Sequence, residues 1–186
     1  MKPSLLIIGL GNPGKAYDQT RHNAGYQALD VLSAAFGVGE WTERQKFAAV
    51  VQEARVITFP VLLVKPTTYM NMSGEAVQKL VDFYKLDPKE QVLVLSDDID
   101  IDLGELRFRK KGGPGTHNGL KSIVEHYGED FPRIRLGLGQ RNGPYDLAAW
   151  VLSRPPEEEQ KVLDEAYAKL PEMVKDYVLG NLNPKQ

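Results

Sequence analysis

Short apolar runs alternate with amphipathic segments of helical period along most of this 186-residue chain. No other feature constrains the fold as much. Ser4–Gly9, Val61–Lys65 and Gln91–Leu95 read as buried strands. Phe47–Val51 and Arg55–Phe59 read as two further strands, and Glu105–Arg109 as a half-exposed one. Ile134, Leu136 and Leu138 alternate on a last strand. Between them, Ala24, Ala28, Val31, Leu32 and Ala35 recur at helical spacing until Gly37 ends the pattern. A second helix carries Ala76, Val77, Leu80, Val81 and Tyr84 on one face, with Ser73 as its N-cap. A third carries Leu120, Ile123, Val124 and Tyr127, and Asn118 is placed to cap it. Pro155-Pro156 followed by three glutamates opens one C-terminal helix, whose buried stripe is Leu163, Ala166, Tyr167 and Leu170. The alternation predicts an α/β fold: a single-domain three-layer sandwich over residues 1–186, with a twisted mixed β-sheet and helices on both faces.

Composition removes several function classes. The chain has no cysteine, so disulfides, thiolate catalysis and Cys-ligated zinc are excluded. A formal net charge of −2 is not that of a general nucleic-acid binder, so any such role needs a local basic patch. The apolar runs Leu5–Leu10 and Val61–Val64 fall far short of the roughly 20 residues that span a bilayer. Residues 1–8 fit a first strand better than a signal peptide. A cytoplasmic protein without membrane association is expected.

In open α/β sheets, ligands collect beyond the carboxyl ends of strands. Polar clusters sit at just those ends here: Asn12 after the first strand, Asn71 after Val61–Lys65, Asp97 after Gln91–Leu95. Two familiar motifs near them fail on spacing. Gly9–Gly14 satisfies G-x-G-x-x-G, but Pro13 is poorly placed for a helix start and the helix begins some nine residues later. Asp30, at the distance where a ribose-binding acid would stand, falls inside that helix. A tight turn using glycine at positive φ explains the motif better. Asp98-Ile99-Asp100-Ile101-Asp102 resembles the start of a calcium loop, but Leu103 stands where glycine is needed and Arg109 where a bidentate glutamate is needed. No metal or cofactor is expected.

The residues left over suit hydrolysis. His22 precedes the first helix, where the helix dipole favours the neutral imidazole, and a neutral ring can take a proton from water. Asp97 is the candidate to orient its other nitrogen. Taken alone, a histidine in such a place is more often structural. The carboxamides of Asn12, Asn71 and Asn118 suit a peptide backbone or a carbonyl oxygen, although each could also cap or hold a turn. Ser96 lies outside any nucleophile elbow, so no acyl-enzyme is expected. Arg107, Arg109, Lys110, Lys111 and Lys121 form a basic run without an acid, and Arg133 and Arg135 lie on a later strand. This is a phosphate-sized patch, or else a solvated strand edge.

At these residues the chain resembles a known family. Gly9-Leu10-Gly11-Asn12-Pro13-Gly14, Thr20-Arg21-His22-Asn23-Ala24-Gly25, Lys65 to Gly74 (KPTTYMNMSG) and His117-Asn118-Gly119-Leu120-Lys121 closely resemble blocks of the bacterial peptidyl-tRNA hydrolases. Arg133 to Gly139 (RIRLGLG) resembles a fifth block, and the order and spacing are the family's. The resemblance implies a metal-free, cofactor-free monomeric esterase. Its substrate would be peptidyl-tRNA, cleaved between the peptide and the tRNA 3′ end to recycle tRNA from stalled translation. It implies His22 as catalytic base with Asp97 as partner, and Asn12 in the reaction centre. Asn71 and Asn118 would hold the peptidyl portion, with Tyr17, Asn23, Tyr69 and Met70 also lining the cleft. Arg107, Arg109 and Arg135 fall on positions that grip tRNA phosphates. The family commonly has lysine at the first two of these. The loop Gly113-Pro114-Gly115-Thr116 is less glycine-rich than the family's, and the C-terminal tail is short and only weakly basic. A relative of the family acts in RNA splicing without catalysis, and that is the competing reading. The presence of both His22 and Asp97 weighs against it.

Overall fold

The computed structural model describes residues 1–140, 143 and 146–184. Seven strands form one mixed sheet in the order β2-β3-β4-β1-β5-β7-β6. They are β1 (Leu5–Gly9), β2 (Thr42–Arg44), β3 (Ala49–Val56), β4 (Phe59–Pro66), β5 (Val92–Asp98), β6 (Leu106–Arg109) and β7 (Arg133–Gly137). The four central strands β4, β1, β5 and β7 run parallel, and antiparallel pairs flank them. The helices are α1 (Ala24–Phe36), α2 (Ser73–Tyr84), α3 (Pro88–Gln91), α4 (Asn118–Tyr127), α5 (Leu147–Val151), α6 (Glu157–Tyr167) and α7 (Leu170–Val178).

The period of two along β1 sorts the core into two layers. Leu5 and Ile7 pack with Leu29 and Leu32 of α1 and with Leu163, Tyr167 and Val174 of α6 and α7. Leu6 and Ile8 face the other way, against Val77 and Leu80 of α2 and Leu120 and Ile123 of α4. All four β1 side chains are buried, and each contributes roughly 1.5–3 kcal/mol by leaving water. The expected three-layer α/β arrangement is therefore present. After β1 the chain first builds the sheet towards β4 and later crosses to β5 on the other side of β1. That makes the carboxyl end of β1 a topological switch point.

Several local expectations change. Arg55–Phe59 is not a separate strand: β3 runs on to Val56, and Ile57-Thr58 turn the chain directly into β4. The turn was hidden because Ile57 takes φ 58° there, where glycine or asparagine normally signals it. Ser73 does not cap α2; it is the first helical residue, and its hydroxyl donates to the Met70 carbonyl. Asn118 likewise begins α4, and His117 is the N-cap. The C-terminal helix is two helices, α6 and α7, broken at Ala168-Lys169 just before Pro171. In the Gly9–Gly14 turn, Gly14 has the expected positive φ of 103°. Gly9 and Gly11 serve closeness instead. A Cβ on Gly9 would lie 2.3 Å from the Gly25 carbonyl oxygen, and one on Gly11 would strike the Tyr26 ring. The start of α1 is thereby pressed onto the end of β1.

Candidate active site

β5 delivers Asp97 to its carboxyl end, where the side chain is only 4% exposed. Two histidines meet it there. His22 Nδ1 lies 2.8 Å from Asp97 Oδ2, and His117 Nε2 lies 2.9 Å from Asp97 Oδ1. His22 comes from the tight turn Arg21–Asn23 that leads into α1, and His117 from the loop that enters α4.

The tautomer of His117 follows from its second nitrogen. Nδ1 accepts from the backbone N–H groups of Gly119 and Leu120, at 3.1 and 3.2 Å, and so caps α4. It carries no proton, so the proton is on Nε2 and is donated to Asp97. His22 then donates Nδ1–H to the other Asp97 oxygen and leaves Nε2 unprotonated at the cleft. Burial opposes ionisation of Asp97, but the two histidine partners outweigh it and hold the carboxyl well below the usual range. Burial also pulls His22 down, yet the Asp97 charge and hydrogen bond win, and its pKa is raised above 6.5. The helix-dipole expectation for His22 is corrected here: an ion partner at hydrogen-bond distance outweighs the partial charge of a helix end.

His22, Asp97 and His117 also form the kind of cluster that can hold a metal, with ligand atoms within 4.8 Å of one another. The protonation pattern argues against that use. His117 Nε2 would have to surrender its proton while Nδ1 stays an acceptor, which requires an imidazolate.

Asn12 is fixed from three sides. Its N–H donates to Asn23 Oδ1 at 2.8 Å, its carbonyl accepts from Asn23 Nδ2 at 3.0 Å, and its Oδ1 accepts from the Met70 N–H at 2.7 Å. The carboxamide oxygen is thereby committed, and the NH₂ is left to the cleft that Asn12 lines. Tyr69, just before Met70, has φ 62° and ψ 159°, a region almost reserved for glycine. That strained turn aims the Met70 N–H at Asn12. Asn23, expected to line the cleft, is instead 2% exposed and acts on Asn12.

The cleft has a volume of about 670 Å³. Tyr17, Tyr69, Met70, Asn71 and Asn118 line it as expected, together with His22 and Asp97. Tyr17 and Tyr69 meet edge to face, with ring centres 6.2 Å apart. Leu147, Ala148, Val151 and Leu152 form a wall that the sequence reading did not anticipate. Ser96 is fully buried on the opposite face of β5 from Asp97 and does not reach the cleft.

The arginines divide. Arg107 stands opposite Arg135 in the β6–β7 register, and Arg109 opposite Arg133, so all four share one sheet face. Arg109 and Arg135 reach the cleft, whereas Arg107 does not line it and is paired with Glu105 at 2.9 Å. Arg135 is already held by Asp98 at 2.9 Å. Arg133 is buried against the Glu129 and Phe131 carbonyls. Among the described residues, no carboxylate pairs with Arg109. The Asp98–Asp102 turn is closed by Asp98 itself, which accepts from the Asp100 N–H and from Arg135.

Comparison with known proteins gives the family. A family model described as peptidyl-tRNA hydrolase matches residues 6–186. A peptidyl-tRNA hydrolase of Fusobacterium nucleatum is 46% identical over 165 residues, covering 89% of this chain and 84% of the relative. One of Clostridium botulinum (strain Eklund 17B) is 43% identical over 179 residues, covering 96% and 91%. The crystal structure of the Acinetobacter baumannii peptidyl-tRNA hydrolase superposes with a TM-score of 0.89 at 37% identity, covering 97% of this chain and 91% of that one. A uridine phosphorylase of Vibrio fischeri, at 9% identity and TM-score 0.56, shares the fold alone. From the family match across nearly its whole length, its relatives and its fold, this chain belongs to the peptidyl-tRNA hydrolase family.

Proposed function

We propose that the chain hydrolyses the ester between a peptide and the 3′ ribose of tRNA, using water activated by His22. The observation that carries this reading is the fixed proton pattern around Asp97. It leaves one unprotonated imidazole nitrogen, His22 Nε2, facing a cleft lined with carboxamides. Water gives its proton to Nε2 as its oxygen attacks the ester carbonyl. The carbonyl oxygen becomes anionic, and the Asn12 NH₂ is pre-oriented to donate to it. Collapse expels the ribose oxygen, which takes the proton back from His22. Asn71 and Asn118, exposed in the cleft, offer donors and acceptors to the peptide backbone.

The test is peptide release from an N-acyl-aminoacyl-tRNA without added nucleotide. Turnover is the expected result, and binding of the tRNA without cleavage would overturn the reading. Activity is also expected to survive exhaustive dialysis against EDTA, once tRNA is refolded in a fixed magnesium buffer. Loss restored by one particular transition metal would mean that His22, Asp97 and His117 act as ligands.

Arg109 and Arg135 extend the same reading to the tRNA. Arg109, at the end of the cleft and without a described carboxylate partner, is the better phosphate ligand. Arg109→Ala is expected to raise KM for peptidyl-tRNA and to flatten the salt dependence of binding by about one unit in log–log slope. kcat should be largely kept. A short acyl-aminoacyl-adenosine, which lacks the acceptor-stem phosphates, should be cleaved as before. Arg109→Lys should behave nearly as wild type, since charge is retained. Equal harm to both substrates would show that Arg109 supports the fold or the reaction centre instead.

A further inference from the structure

Arg21 is an unusual residue to find beside a catalytic base. It is 6% exposed, and its guanidinium is spent on α5, on the turn after it and on the first turn of α6. Nη1 donates to the Ser153 hydroxyl at 2.7 Å and reaches the carbonyls of Trp150 and Arg154 at 3.5 and 3.4 Å. Nη2 pairs with Glu159 of α6 at 2.9 Å. The same guanidinium lies over the Trp150 ring, 4.4 Å from its centre, and the Arg21 N–H donates to the Ser153 carbonyl at 3.0 Å.

The segment it holds is α5 and the turn after it. None of the five residues of α5 is fully buried, and of these five Trp150 alone packs on the core, from its edge. A helix this short does not persist by its own hydrogen bonds. Yet Leu147, Ala148, Val151 and Leu152 make the apolar wall of the cleft. Beyond the packing of Trp150 and the Arg154 Nε donation to the Asp18 carbonyl at 3.0 Å, the docking of that wall rests on polar and cation–π contacts converging on Arg21, which is adjacent to His22 in sequence.

We infer that Arg21 is a positioning residue that docks the α5 wall against the His22 turn and thereby sets how tightly the cleft grips the peptidyl end of its substrate. The inference rests on the reading that this cleft receives the peptidyl ester. Arg21 itself touches neither substrate nor reacting atoms. A planar guanidinium can bridge carbonyls, a hydroxyl and a carboxylate while stacking on a ring, and an ammonium cannot do all of these at once. Arg21→Lys should therefore restore only part of the function lost in Arg21→Met.

Two measurements on the full chain test this. The first is amide hydrogen exchange of the substrate-free protein, which is independent of any activity. Arg21→Met should lose protection at Trp150, Leu152 and Ser153 while the β1 and β5 amides keep theirs. The second is steady-state kinetics on N-acyl-aminoacyl-tRNA. KM should rise at least about tenfold, the scale of a lost apolar contact in a pocket, with kcat falling less than KM rises. Arg21→Lys should be intermediate in both. Glu159→Gln removes one partner at a distance from the cleft. It should move both readouts in the same direction by less, and it keeps the test decisive if Arg21→Met does not fold. Unchanged α5 protection, or unchanged KM in variants that still turn over, overturns the role of Arg21. So does a loss of protection spread evenly over the sheet, which would mark Arg21 as a general fold residue. An inactive wild-type protein would instead overturn the reading of the cleft, and the exchange experiment would still decide whether Arg21 docks α5.

Discussion

His22→Ala is expected to lower kcat on peptidyl-tRNA by about 10²–10⁴-fold, the range of general base assistance, with KM little changed. The ring is held by Asp97 and faces the cleft with one nitrogen, so its removal takes away the proton acceptor and leaves the carboxamides and the apolar wall in place. The pH dependence has a definite sign. Asp97 raises the His22 pKa above 6.5, and only the neutral ring can accept a proton. kcat/KM should therefore fall as pH drops through that raised value and level off above it. In His22→Ala this acid limb should vanish. Normal turnover, or an unchanged acid limb in the variant, would remove His22 from the mechanism.

What the sequence made legible was whatever depends on local pattern. The short apolar run Leu5–Ile8 and the helical spacing after Asn23 placed β1 and α1, and with them the switch point where the site lies. His22, Asp97, Asn12, Asn71 and Asn118 follow strand ends or open helices, and the fold brings them to one cleft. The parts that were not legible depend on contacts between distant segments. His117 lies inside one of the family-like blocks, and nothing in its sequence neighbourhood assigns it a role. Its two nitrogens do two jobs, capping α4 and holding Asp97, and only the folding that brings the start of α4 to the end of β5 makes the second possible. Its one available signal was that it is among only three histidines in the chain. The family resemblance assigns Asn23 to the cleft, yet the turn buries it behind Asn12. α5 carries too few residues for a helical period to register, and it buries none of them. The arginines alternate on β6 as the pattern required. Glu105 and Asp98 then occupy Arg107 and Arg135, and spacing along a strand cannot foretell which charges will be neutralised across it.

Asp97→Asn should be nearly as damaging as His22→Ala, through the position of one proton. His117 cannot adapt to an amide at this site. Its Nδ1 is committed to the Gly119 and Leu120 N–H groups, so Nε2 must remain a donor. The new asparagine therefore turns its oxygen to His117 and its NH₂ to His22. Facing a donor, His22 Nδ1 must become an acceptor, and the imidazole proton moves to Nε2. The nitrogen at the cleft is then protonated in the neutral ring and cannot take a proton from water. A fall in kcat on the order of 10²–10⁴ is expected, with KM and thermal stability nearly unchanged, as in other sites where an amide inverts a catalytic tautomer. Combining Asp97→Asn with His22→Ala should cost little more than either alone, because the two residues act as a unit. The same reasoning makes a less intuitive prediction. His117→Asn keeps a good α4 cap but has no side chain long enough to hold residue 97. Adding it to Asp97→Asn frees the amide to flip and offer its oxygen to His22 Nδ1. The double variant should therefore regain part of the activity that Asp97→Asn alone has lost. A double variant slower than Asp97→Asn would show that His117 contributes to the reaction directly, and that the proton pattern is not fixed by the capping of α4.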